Sequence, residues 1–146
     1  SFFLIFDMNF FESIQHKTKI SQIMNKNIIS VDESVSSLHA AKIMEDTKVG
    51  SLIVLENALP IGIVTDRDFA IKITAHSYPV DTPVRRIMSS PLISIDSNSD
   101  LWEVSDLMSS SKIRTLPVID DGLVVGIITV GDLMNHMIKN FKNNLN

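Results

Sequence analysis

Apolar and polar positions follow the same order twice along this 146-residue chain. The β-branched run Ile28-Ile29-Ser30-Val31 predicts a strand, and the polar Asp32-Glu33-Ser34 after it predicts a turn that caps a helix. Leu38, Ala41 and Met44 then recur at helical spacing and predict one buried stripe. Leu52-Ile53-Val54-Leu55 and Ile61-Gly62-Ile63-Val64 flank Glu56-Asn57-Ala58 and predict two strands joined by a tight turn, with a second helix after Thr65. The order then repeats. Leu92-Ile93-Ser94-Ile95 reads as a strand, Asp96-Ser97-Asn98-Ser99-Asp100 as a capping turn, and Leu101, Val104 and Met108 as the helical stripe. Leu116-Pro117-Val118-Ile119 and Val124-Val125-Gly126-Ile127-Ile128 enclose Asp121-Gly122, a strong hairpin signal. The last helix is expected to begin after Thr129 and reach Asn140, with Lys142 to Asn146 frayed.

The two copies superimpose without a gap. Gly62-Ile63-Val64-Thr65-Asp66-Arg67-Asp68 falls on Gly126-Ile127-Ile128-Thr129-Val130-Gly131-Asp132, and the same offset pairs Ile23-Met24 with Ile87-Met88 and Lys48 with Lys112. Self-similarity at one period decides architecture ahead of any local feature. The expected fold class is α/β, in the α+β sense: two β-α-β-β-α repeats related by a pseudo-twofold axis, offering two equivalent clefts. The expected boundaries are an apolar segment over 1–19, a first repeat over 20–76, a connector over 77–86, a second repeat over 87–141 and an end at 142–146. Five of the seven phenylalanines (Phe2, Phe3, Phe6, Phe10 and Phe11) precede the repeats. They are expected to pack on the module or on a twin subunit, and Met8 offers an alternative start.

Composition narrows the classes. A chain of this length buries about two-thirds of its unfolded surface and needs no metal or disulfide staple. There is no cysteine, hence no thiolate zinc site and no thiol nucleophile. The net charge of −4, with scattered lysines and arginines, argues against a nucleic-acid partner. No apolar run approaches the roughly 20 residues that span a bilayer. The expectation is a soluble cytoplasmic protein.

Candidate chemistry is sparse. No Gly-x-Ser-x-Gly elbow is present, and His16, His39, His76 and His136 lack metal-ligand spacing, so neither catalytic nor metal-ligating residues are assigned. The repeated Thr-x-x-Asp, Thr65 with Asp68 and Thr129 with Asp132, has two readings. It is close to a capping box, in which both side chains satisfy backbone N–H groups. It also suits a nucleotide, whose phosphate meets the helix start and whose ribose hydroxyls meet the carboxylate. Lys112 and Arg114 lie two apart before a strand and are expected on one face, where an arginine can grip phosphate bidentately. The first copy has Lys48 but Gly50 in place of Arg114, so it is the weaker candidate for a charged ligand unless Arg85 or Arg86 substitutes.

The element order, the Ile-Met openings, Arg114-Thr115-Leu116-Pro117-Val118 and the two Gly-Ile-Val/Ile-Thr-x-x-Asp stretches resemble the cystathionine-β-synthase (CBS) domain. The resemblance spans roughly residues 20–140 and is to a tandem pair, or Bateman module. It implies a non-catalytic regulatory module that senses an adenine nucleotide (AMP, ADP or ATP, ahead of S-adenosylmethionine) in clefts between the repeats. It further implies ribose on Asp68 and Asp132, phosphate near Thr65, Thr129 and Arg114, and adenine against the backbone around Ile29 and Ile93, with Lys112 a further ligand-binding candidate from its place beside Arg114. A homodimer is expected, with a protein effector as a further partner. The rival readings are a structural dimerisation module and a regulatory subunit for a separate enzyme or transporter.

Overall fold

The computed structural model describes residues 18–145, so the expectations for the phenylalanine-rich segment lie outside the described residues. The elements are β1 (Ser30–Asp32), α1 (Ser37–Thr47), β2 (Ser51–Glu56), β3 (Leu59–Thr65), α2 (Asp66–Asp68, continued by a π-helical stretch Phe69–Ala75), α3 (Leu101–Ser111), β4 (Thr115–Asp120), β5 (Leu123–Thr129) and α4 (Val130–Leu145). Short 3-10 turns at Ile20–Gln22 and Val84–Arg86 precede the two Met residues of the Ile-Met pairs.

Two compact units result. The first comprises 27–93 with 122–124; the second comprises 18–26, 94–121 and 125–145. These units do not coincide with the sequence repeats, because each Ile-Met opening belongs to the unit built by the other copy. Ile87 is fully buried in the first unit with Val31, Leu52, Val54 and Val64, while Ile20 is fully buried in the second with Val104, Leu116 and Ile128. Burying one such aliphatic side chain stabilises by about 1.5–3 kcal/mol.

Two glycines make this exchange sterically feasible. A Cβ on Gly62 would lie 2.6 Å from Met88 Sδ and 2.9 Å from the Ser89 carbonyl, and one on Gly126 would lie 2.8 Å from Met24 Cγ. Backbone bonds fix each approach: Ile63 and Ser89 exchange N–H to carbonyl bonds of 3.3 and 2.8 Å, as do Ile127 and Asn25 at 2.8 Å each. Side-chain-free backbone at these two positions is therefore what the Ile-Met segment rests on.

In the first unit β1 pairs parallel to β2, and β2 pairs antiparallel to β3. In the second unit β4 pairs with β5, and the expected strand Leu92–Ile95 reduces to one parallel bridge, Ile95 to Val118. The hairpin turns differ. Asn57 and Ala58 have φ of 50° and 66°, Asp121 and Gly122 of 50° and 79°, so the first turn holds an alanine where the second uses glycine.

Three local expectations change. The buried face of α1 is Ser37 and Ala40, while Leu38 is 47% exposed; the second copy keeps Leu101, Val104 and Met108 buried as expected. The cap of α1 is Ser36, accepting from His39 N–H, and it matches Asp100, which accepts from Glu103 N–H on α3. Asp32 instead accepts from the hydroxyl and N–H of Ser34, which lowers its pKa; Asp120 is lowered in the same way by Ser97. Finally, α4 runs to Leu145, past Asn140 and through most of the end expected to fray.

Candidate functional site

Each hairpin delivers its last strand into a helix at the Thr-x-x-Asp box, and both boxes close as reciprocal caps. Thr129 N–H donates to Asp132 Oδ2 at 2.9 Å, the Thr129 hydroxyl donates to the same oxygen at 3.0 Å, and Asp132 N–H donates back to Thr129 Oγ1 at 3.1 Å. In the first unit Thr65 N–H reaches Asp68 Oδ2 at 2.9 Å, with the hydroxyl at 3.4 Å. The capping reading of the motif thus holds in both copies, and it commits one carboxylate oxygen in each.

The strand entrance is tied to the same helix start. Val130 N–H donates to the Arg114 carbonyl at 3.0 Å, and at the matching place Asp66 N–H donates to the Gly50 carbonyl at 3.4 Å. Arg114 is therefore a backbone neighbour of the Thr129–Asp132 box. Lys112 and Arg114 lie before the strand rather than in it: Lys112 ends α3 in the left-handed region, φ 55°, and β4 begins at Thr115. Lys48 ends α1 in the same way, φ 58°, so the repeated lysine marks a helix terminus, where a cation suits the dipole. Both Lys112 and Arg114 are exposed and line one cavity of about 460 Å³.

That cavity opens between α3 and α4. Ser105, Met108, Ser109, Ile113, Val130, Leu133, Met134 and Met137 complete its wall, and neither Thr129 nor Asp132 lines it. The structure therefore brings Arg114 to the helix start by its backbone and to an apolar groove by its side chain. The spacing of Val130, Leu133, Met134 and Met137 along one helix face was the sequence signal for this groove.

The expected site residues fall in both units. Ile29 packs on the first core, and its carbonyl accepts from Ile53 N–H at 3.0 Å. Ile93 is 42% exposed and belongs to the first unit, whereas Asp132 belongs to the second. Arg85 and Arg86 follow Val84 on the 3-10 turn, and Arg86 lies 5.9 Å over the Tyr78 ring.

Sequence reasoning missed Lys72. Its ammonium lies 3.3 Å from Asp68 Oδ1 and 2.6 Å from the Ile87 carbonyl. The offset that pairs the copies puts His136 opposite it. His136 Nε2 lies 3.3 Å from Thr18 Oγ1 and 2.8 Å from Asn140 Nδ2, and burial, then Lys139, lowers its pKa below the ordinary 6.5.

The CBS-domain family model matches residues 20–74 and 84–139. This chain belongs to the CBS-domain family. It carries a CBS pair, in a family that commonly serves regulation and ligand binding. Over 123 residues it is 33% identical to the CBS domain-containing protein YhcV of Bacillus subtilis, covering 84% of this chain and 88% of that one. An uncharacterised conserved protein of Pyrococcus horikoshii matches in structure with a TM-score of 0.78 at 32% identity, covering 84% of this chain and 93% of the other. A hexameric CBS-CP12 protein from bloom-forming cyanobacteria matches with a TM-score of 0.74 at 30% identity, covering 80% and 69%. Among the described residues of this CBS pair no cluster of metal-ligating side chains occurs, and no helix is long and apolar enough to cross a membrane.

Proposed function

We propose that this CBS pair is a non-catalytic sensor of an adenosine-containing ligand of the AMP, ADP or ATP class, with the second unit as its binding half. The observation that carries this is the state of Asp132. One of its oxygens is held by Thr129 N–H and hydroxyl, while the other makes no hydrogen bond among the described residues. A fixed carboxylate with a spare oxygen can accept from a ribose diol. The start of a 16-residue helix stands beside it, and Arg114, whose carbonyl accepts from Val130 N–H at that start, carries the exposed guanidinium that we assign to phosphate. Ligand binding acts on a protein effector only through its different affinity for the arrangements the chain can adopt.

Calorimetric titration with AMP, ADP, ATP, adenosine and S-adenosylmethionine tests the proposal. Asp132→Ala is expected to weaken nucleotide binding about tenfold or more, the loss of a charge-assisted hydrogen bond. A wild-type chain that binds none of the panel at sub-millimolar concentration would end it.

Self-association is a second reading, favoured by the groove between α3 and α4, whose wall includes Met108, Leu133, Met134 and Met137 with Met134 55% exposed. A homodimer through this face predicts that Met134→Lys lowers the mass seen by light scattering. An unchanged mass would remove this face as the contact.

A further inference from the structure

We propose that the chain takes one adenosyl ligand, in the second unit, because Lys72 already occupies in the first unit the carboxylate oxygen that a ribose would need. The inference rests on the ribose role given to Asp132 above. In both boxes Oδ2 of the aspartate is taken by the threonine N–H. In the first unit Oδ1 is taken as well, by the Lys72 ammonium at 3.3 Å, and the same ammonium is anchored from its other side by the Ile87 carbonyl at 2.6 Å. The Asp68 side chain is only 11% exposed, so solvent does little to loosen this pair.

A sugar diol entering there competes with Lys72 for Asp68 Oδ1, and displacing the ammonium leaves it without its carboxylate in a half-buried place. Losing a hydrogen bond between charged groups weakens binding roughly 10- to 100-fold. Gly50 stands where the second unit has Arg114, so no guanidinium at that position compensates. In the second unit the residue matching Lys72 is His136, and its Nε2 is directed to Thr18 and Asn140 instead of the aspartate. Lys72 is thus a specificity-determining residue: an internal cation stands in for a ligand at one of two boxes with the same capping geometry.

Titration of the full chain with AMP tests this. One equivalent per chain is expected. Asp132→Ala should abolish or strongly weaken it, while Asp68→Ala should leave affinity within about twofold, as for a remote site whose effects add independently. His136→Lys should write the same lock into the second unit and weaken AMP roughly 10- to 100-fold. His136→Gln, which keeps a neutral polar group, should not. Two equivalents per chain, one of them lost in Asp68→Ala, would overturn the inference while leaving the adenosyl reading standing. Equal losses in His136→Lys and His136→Gln would also overturn it. A wild-type chain that binds no AMP but binds another adenosyl ligand moves the same titrations to that ligand, and one that binds none overturns both proposals. The stoichiometry arm uses the wild-type chain, so it holds even if a variant fails to fold.

Discussion

The two Thr-x-x-Asp boxes are alike in sequence and in their caps, and unlike one turn further along. Asp68 is clamped between Thr65 and Lys72, whereas Asp132 is held from one side only. The half of the motif that satisfies backbone N–H groups is the same in both, because an unsatisfied helix start costs stability wherever it occurs. The residue four places on is free of that duty, and there the copies have become lysine and histidine. A repeated motif therefore reports a shared structural need, and the unmatched neighbour reports a difference in what each copy can do.

The largest effect that separates the halves is expected at the glycines. Gly62→Ala meets a backbone carbonyl at 2.9 Å as well as Met88, so the Ser89 segment must move; the three atoms nearest a Cβ on Gly126 all belong to the Met24 side chain. The first should cost about 1–3 kcal/mol and the second less. Denaturant titration measures both, and Met24→Ala should rescue Gly126→Ala while Met88→Ala rescues Gly62→Ala only in part. Equal costs would break the comparison.

The aspartates come next. Asp68→Ala removes a cap and strands Lys72, and should destabilise by about 1–3 kcal/mol. Asp132→Ala removes a cap alone, about 1 kcal/mol. A chain equally sensitive at both would deny Lys72 its role. The turns give a smaller effect of opposite sign. Ala58 sits at φ 66° where the second hairpin has Gly122, and relieving that left-handed alanine with Ala58→Gly should raise stability by up to about 1 kcal/mol. A lower melting temperature for the glycine variant would contradict this.

The smallest difference is a pH dependence near neutrality that His136 gives the second unit. His136 has its pKa lowered by burial first and then by Lys139, so the unfolded chain takes up a proton before the folded one as pH falls. Its contribution is complete above the unfolded value of 6.5 and is lost as pH drops below it. His136→Gln should therefore reduce the fall in melting temperature between about pH 7.5 and pH 5.5. An unaltered fall would place the sensitivity on other groups.

Element order, both hairpins and the second helical stripe were legible from periodicity, because β-branched runs and Asp-Gly carry their own geometry. The stripe of α1 was not. Leu38 has the residue type of a core position, but the cap at Ser36 sets the helix phase so that Ser37 and Ala40 face inward. The strand over 92–95 failed for a different reason: β propensity needs a partner along its whole length, and Ile95 alone finds one. At the site, the boxes could be read because the spacing of a cap is local. Lys72 was invisible as chemistry, since a lysine on a helix is usually a solvated charge, yet its mismatch with His136 was present in the alignment of the copies.

The exchange of the Ile-Met openings has a consequence for how the chain matures. All but three residues of the first unit lie in one stretch, 27–93, so a chain made from its N-terminus has nearly everything that unit requires before residue 94 exists. The second unit cannot be completed so early. Ile20 must wait for Leu101, Leu116 and Ile128, and Asn25 for Ile127, contacts separated by most of the chain. Closing so long a loop is slow, and the waiting apolar surface is open to other chains in the meantime. The half proposed to hold the ligand is thus the last to assemble, so its final step can be aided by a molecule that binds only the finished form.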